Sequence, residues 1–280
     1  MFVEFKHALR SSLGQIIGWG FGLALLGLLQ VPMYDSLAAD GEAFAEMLEL
    51  FPSEVMAFFG DLSLMATPEG YLSIEFFSYM PLILGIFAIQ AGTGLLVKDE
   101  EMGTLDLIIA HPVSRLSLFV GRFLAFLCAL GVILFTAWLG IVLPMEWSMM
   151  SLKGVEVARP FLSLYAEMVL FGSLGLILST ILPSRRLASM VSGLLLVASF
   201  FITGLSQLNE DLEIIAWLSP LKYYQTQEAF AGLNGEWLIG LFGAGLVFVL
   251  LAGWRFLRRD LRVAGEGGWK LKDLLPTKRQ

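Results

Sequence analysis

Residues 118–144 read LFVGRFLAFLCALGVILFTAWLGIVLP, an apolar run in which Arg122 is the one charged side chain. A helix needs about 20 such residues to cross the hydrocarbon core of a bilayer, and this run is long enough. It does not alternate apolar and polar positions, as the roughly 10-residue strands of a membrane barrel do. Five further runs meet or approach the same length, at 14–33, 76–97, 161–182, 187–208 and 237–257. The whole chain is 57% hydrophobic and 15% charged, with a mean hydropathy of +0.76. A water-soluble domain of this length cannot bury that much apolar surface. The fold expected is an all-α membrane protein with six transmembrane helices, one domain over residues 1–280, with residues 34–75 as a long first outer loop.

The first run is not a signal peptide. Residues 11–34 are uncharged throughout, longer than a signal core of about 7 to 15 residues, and no small-residue cleavage pattern closes them. Six spans place both termini on one side, and lysines and arginines mark the cytoplasmic side. Lys6, Arg10, Lys98, Arg115, Arg122, Arg185, Arg186 and the basic residues from Arg255 onward fall with the termini, whereas Lys153, Arg159 and Lys222 fall opposite. The expectation is a multi-pass plasma-membrane protein with both termini cytoplasmic. The formal net charge of −7 reflects acids gathered in the outer loop, among them Asp35, Asp40, Glu42, Glu46, Glu49 and Glu54. Between them Phe44, Met47, Leu48, Phe51, Val55 and Phe58 recur at helical steps, the pattern of an amphipathic helix on the outer surface. No basic stripe on a soluble element is present, so no nucleic-acid partner is expected. The single cysteine, Cys128, lies inside an apolar run and reads as a small buried hydrophobe.

Gly14, Gly18 and Gly22 stand four residues apart and form one smooth stripe on the first span. Such a stripe suits helix packing, either within the subunit or across a dimer interface.

The segment between the second and third spans, residues 98–121, reads KDEEMGTLDLIIAHPVSRLSLFVG. It is charged at its start, then apolar at Met102, Leu105, Ile108 and Ile109, and Pro112 stops it. This describes a short amphipathic helix on the cytoplasmic face. A docking protein partner accounts for it, with apolar residues entering a groove and Glu100, Glu101 and Asp106 meeting basic rim groups.

The string EEMGTLDLIIAHPVSR at 100–115 resembles the signature of ABC-2-type permeases: an acidic pair, Gly-Thr-Leu, an acid, apolar residues and Pro-Val-Ser-Arg after the second span. The resemblance extends along the chain, to an amphipathic N-terminal helix with Phe2, Phe5, Leu9 and Leu13 on one face, to the long first outer loop, and to Ser-Pro-Leu-Lys-Tyr-Tyr from Ser219. It implies a membrane-spanning permease subunit of an ABC exporter, worked by a separate ATPase present in two copies and paired with a second permease chain, identical or a paralogue. It further implies that Glu100, Glu101, Gly103, Thr104, Leu105, Asp106, Pro112 and Arg115 form a coupling helix seated on that ATPase, and that Phe2, Phe5 and Leu9 belong to an elbow helix along the inner surface. Aspartate stands at position 106 where many relatives carry glutamate, which keeps the charge.

Residue types wanted for other chemistries are lacking. A phosphate-binding G-x-x-x-x-G-K-[ST] loop needs a Gly-Lys pair, and none occurs, so ATP and magnesium are expected on the partner and no cofactor or catalytic site in this chain. The only histidines, His7 and His111, are far apart and form no H-E-x-x-H pair. The rival class is an ion-coupled secondary transporter or channel, which keeps acids near the bilayer midplane. Glu167 is the one acid within a span. Placed about six residues inside the outer end of a span at 161–182, it reads as a hydrated outer-leaflet residue, with a pathway or gate role as the alternative.

Overall fold

The computed structural model describes residues 1–39, 62–101, 114–206 and 210–258. The expected amphipathic helix of the outer loop, the segment carrying Gly103, Thr104, Leu105, Asp106 and Pro112, and the basic tail beyond Arg258 all lie outside the described residues. Among those described, no strand occurs, and seven longer helices follow in order: α1 (Phe2–Ser11), α2 (Leu13–Ala39), α3 (Met80–Glu101), α4 (Arg115–Met145), α5 (Gly154–Ile181), α6 (Arg185–Leu205) and α7 (Gly235–Arg258). Six of them, α2 to α7, are long and apolar enough to cross a membrane. Shorter turns precede α3 (Leu62–Ala66, Pro68–Leu72 and a π-helical turn Ser73–Phe77) and connect α6 to α7 (Glu213–Ala216, Pro220–Tyr223 and Gln227–Ala231).

The helix contacts gather in two bodies, joined by one continuous core of buried side chains. In the first, α1 and α2 follow α4 side by side. A Cβ at Gly121 would lie 2.9 Å from the Met1 carbonyl oxygen, one at Gly20 would lie 3.0 Å from Thr136 Oγ1, and one at Gly27 would lie 2.7 Å from Ile141. The nearly constant offset between these partners means that the chains run parallel, with only Ser12 separating α1 from α2. The close packing of the first span thus falls on Gly20 and Gly27. At Gly14, Gly18 and Gly22, by contrast, a Cβ would meet nothing within 4 Å. The expected four-residue stripe is therefore not what joins this helix to its neighbours in the subunit.

In the second body α5 is the centre, with α3 on one side, α7 on another and α6 against both α3 and α5. Helices in lipid gain little from the hydrophobic effect and hold by close van der Waals approach, which small residues permit. Gly92 of α3 sits directly on the backbone of Gly172 in α5, and Gly175 on Thr93 and Ile89. At the end of the bundle opposite α1, the rings of Phe76, Phe77, Phe161 and Phe230 form one buried cluster, with Phe77 and Phe161 centroids 5.0 Å apart.

Sequence boundaries shift at α5. It starts at Gly154 rather than 161, since the Lys153 N–H donates to Glu156 Oε2 at 2.8 Å and closes the first turn. Arg159, which interrupts the apolar run, is satisfied by the carbonyl oxygens of Phe230 and Ala231 at 2.5 and 2.9 Å.

A polar residue hidden in the first apolar run ties the short turns before α3 to α2. Buried Gln30 donates from Nε2 to the Glu75 carbonyl at 2.9 Å and accepts from Tyr71 Oη at 2.8 Å. Gln30→Leu leaves the buried Tyr71 hydroxyl without this acceptor, while the Glu75 carbonyl keeps the Tyr79 hydroxyl, and the expected loss is about 1 to 2 kcal/mol. Thermal unfolding of the purified protein measures it, and an unchanged melting temperature would show the network to be dispensable.

Candidate functional site

The candidate site lies at the end of the bundle that carries the chain start and the two flanks of residues 102–113. α3 ends at Glu101, and α4 starts at Arg115 after Ser114, whose Oγ accepts from the Ser117 N–H at 3.2 Å and caps the helix. The acidic pair divides its tasks. Glu100 is buried inside the subunit at 4% exposure, so it does not face outward to meet a partner's rim. Glu101 is exposed, and its Oε1 accepts from the backbone N–H of Arg185 at 2.9 Å. That N–H is the first of α6, one of the four a helix start leaves unpaired, and a carboxylate there also complements the positive end of the helix dipole. The two ends of the 102–113 segment therefore hold different things: Glu101 grips α3 and α6, and Arg115 opens α4.

α1 leans on the first turns of α4 at Gly121. Phe5 and Leu9 are half-buried there, while Phe2 is 73% exposed and stacks on Phe5 with centroids 6.5 Å apart. Three arginines brace this end on carbonyl oxygens: Arg122 on Leu95 at 2.7 Å, Arg185 on Gln90 at 3.2 Å and Arg255 on Thr180 at 3.0 Å. Thr180 lies in the last turn of α5, where carbonyls lack helical partners and cations are favoured.

Glu167 is placed differently from the sequence expectation. With α5 starting at Gly154, it lies mid-way along the 28-residue helix, about 20 Å from its start. It is fully buried, and neither carboxylate oxygen has a hydrogen-bond partner. It is therefore not a hydrated residue at the outer leaflet. Ser173, two turns on, is also buried with an unpaired Oγ. Close to Glu167 stands Tyr224, whose Oη donates to the Phe77 carbonyl at 3.0 Å. Burial, and then the neighbouring Glu167 charge, holds the Tyr224 phenol well above its usual range. Tyr224 also borders a cavity of about 210 Å³ whose wall carries the hydroxyls of Ser73, Tyr79, Thr203 and Thr226. No sequence feature points to this proximity, because positions 224 and 167 meet only through the fold.

The family model described as ABC-2 family transporter protein matches residues 4–261, nearly the whole chain. The chain belongs to the ABC-2 transporter family. This ABC-2 protein is accordingly a multi-pass membrane permease of an ABC transporter, a class that works with an ABC ATPase subunit in general. No curated protein matches the chain. Of the residues the resemblance pointed to in this permease, Glu101 and Arg115 stand at the described rim of the inter-span segment, and Phe2, Phe5 and Leu9 lie on α1 beside it.

Proposed function

We propose that this permease exports its substrate across the plasma membrane, with both termini cytoplasmic, and that two copies of a separate ATPase drive a pair of permease chains through residues 98–115. The chain itself is not an enzyme and holds no cofactor; ATP and magnesium belong to the partner. The observation that carries the reading is the bond from the Arg185 N–H to Glu101 beside the helix start at Arg115. Displacement of the segment between Glu101 and Arg115 pulls on α3, α4 and α6 together, which is what a mechanical coupling needs. The excess of lysine and arginine at this end supports its placement in the cytoplasm.

The test is co-purification. Glu101→Lys together with Asp106→Lys is expected to abolish retention of the ATPase while membrane insertion persists; undiminished retention would overturn the coupling role. The buried mid-helix Glu167 favours a second reading, transport coupled to an ion gradient. Reconstituted permease without any ATPase, showing uptake on a proton or sodium gradient, would establish that reading in place of the first.

A further inference from the structure

The cavity of about 210 Å³ beside Tyr224 lies at the end of the bundle opposite α1. Three pieces of chain wall it: the π-helical turn with the two residues after it, the last turns of α6, and the short turns before α7. It is far larger than the roughly 10–15 Å³ that one water needs, and smaller than the roughly 300–1,000 Å³ of sites for drug-sized ligands. A chemical group of modest size fits it.

Two hydroxyls that border the cavity have no protein partner among the described residues. Ser73 is 7% exposed, yet its Oγ makes no hydrogen bond, whereas nearby Ser78 donates to the Ile74 carbonyl four residues back, as helical serines commonly do. Thr226 precedes the short helix Gln227–Ala231, but its side chain does not cap that helix. A hydroxyl withdrawn from water and left unpaired costs free energy that a ligand removes.

The other hydroxyls of the wall have committed their protons to the protein. Ser78 donates to Ile74, Tyr79 to the Glu75 carbonyl and Tyr224 to the Phe77 carbonyl. Ser219 donates to the Ser199 carbonyl at 3.1 Å, so in its 2.8 Å bond with Thr203 the Thr203 hydroxyl is the donor. A hydroxyl has one proton and two lone pairs, so all four retain only the capacity to accept. The cavity therefore asks for a donor.

The electrostatics have the same sign. Among the described residues, no lysine or arginine borders the cavity. Lys222, next to the wall residue Leu221, is engaged elsewhere, with Nζ 3.7 Å from Glu213 and 3.8 Å from the centre of the Trp217 ring. Behind the wall stand two acids, Glu167 by Tyr224 and Glu75 by Tyr79, which bias the space toward positive charge. The aromatic side chains Phe200, Tyr79 and Tyr224, with Ile74 and Leu221, suit a cation that carries hydrocarbon.

We propose that this cavity binds a small monovalent cation, with an alkylammonium the best match to its size and aromatic wall, and with Ser73 and Thr226 among the groups that accept its N–H bonds. The proposal concerns binding and stands apart from coupling through residues 98–115. Isothermal titration calorimetry of the full-length permease in a neutral detergent, at constant ionic strength, tests it with three probes: butylammonium, uncharged butanol and potassium. Butylammonium is expected to bind and butanol not to bind. Ser73→Ala and Thr226→Val each remove a hydroxyl that serves no protein partner. The melting temperature of the free permease should therefore hold while butylammonium affinity falls roughly tenfold, the loss of one hydrogen bond to a charged group. Potassium binding that falls in the same variants would support the cation site and assign it to an inorganic ion. Binding of neither cation, equal binding of butanol, or affinity unchanged in a folded variant would overturn the proposal. Each variant decides by itself, so the test survives if the other does not fold.

Discussion

Gly92→Ala is expected to strip the membrane of most folded permease. The added Cβ would lie 2.0 Å from the Gly172 carbonyl oxygen, 2.7 Å from its carbon and 2.9 Å from its Cα. All three atoms are backbone, so no rotamer change relieves the clash, and α3 and α5 must separate along their main crossing. Overpacking a well-packed core costs about 1–3 kcal/mol when side chains can yield, and a contact between two backbones lies beyond that range. Separation would also open the contact of Gly175 with Thr93, one turn further on. The reverse substitution, Gly172→Ala, meets the Phe126 ring at 2.3 Å and should be milder, because a ring edge can shift. Gly193→Ala is the control: it lies on α6 with nothing within 4 Å, and relief of the glycine helix penalty should leave it neutral or stabilised by up to about 1 kcal/mol. Detergent-extracted yield and melting temperature, compared across the three, check the order. A Gly92→Ala protein matching Gly193→Ala would mean that the two helices do not cross this closely.

Glu167→Leu is expected to do the opposite, raising the melting temperature. Both carboxylate oxygens are buried and unpaired, and replacing an unsatisfied polar group by an apolar one of similar size recovers about 1–3 kcal/mol. A position that lowers stability in this way persists where it serves activity. The expected joint outcome is a more stable variant with impaired transport in reconstituted vesicles. A drop in melting temperature would show that the carboxylate has a partner, and full transport by a stabilised variant would remove Glu167 from the pathway.

The six spans were legible because each is a long uninterrupted apolar run, and α4 coincides with its run to within a few residues at either end. What failed to show in the sequence were features that depend on neighbours. Arg159 and Pro160 broke the hydropathy pattern and hid the first two turns of α5, although the carbonyls of Phe230 and Ala231 make that arginine affordable at its place in the helix. The same break in the pattern hides the depth of Glu167. The glycine spacing at 14, 18 and 22 was plain, but Gly20 and Gly27 face α4, and a helix does not announce which side its partner occupies. Nothing in the sequence singles out Gln30, whose partners Glu75 and Tyr71 stand 45 and 41 residues away along the chain.

The division into two packed bodies gives residues 102–113 a particular standing. One end is anchored at Glu101 in the α3–α5 group and the other at Arg115 in the group of α1, α2 and α4. The pair of anchors stands like the jaws of a calliper: a change in their spacing has to be taken up where the two bodies meet, at the contacts of α4 with α3 and α5.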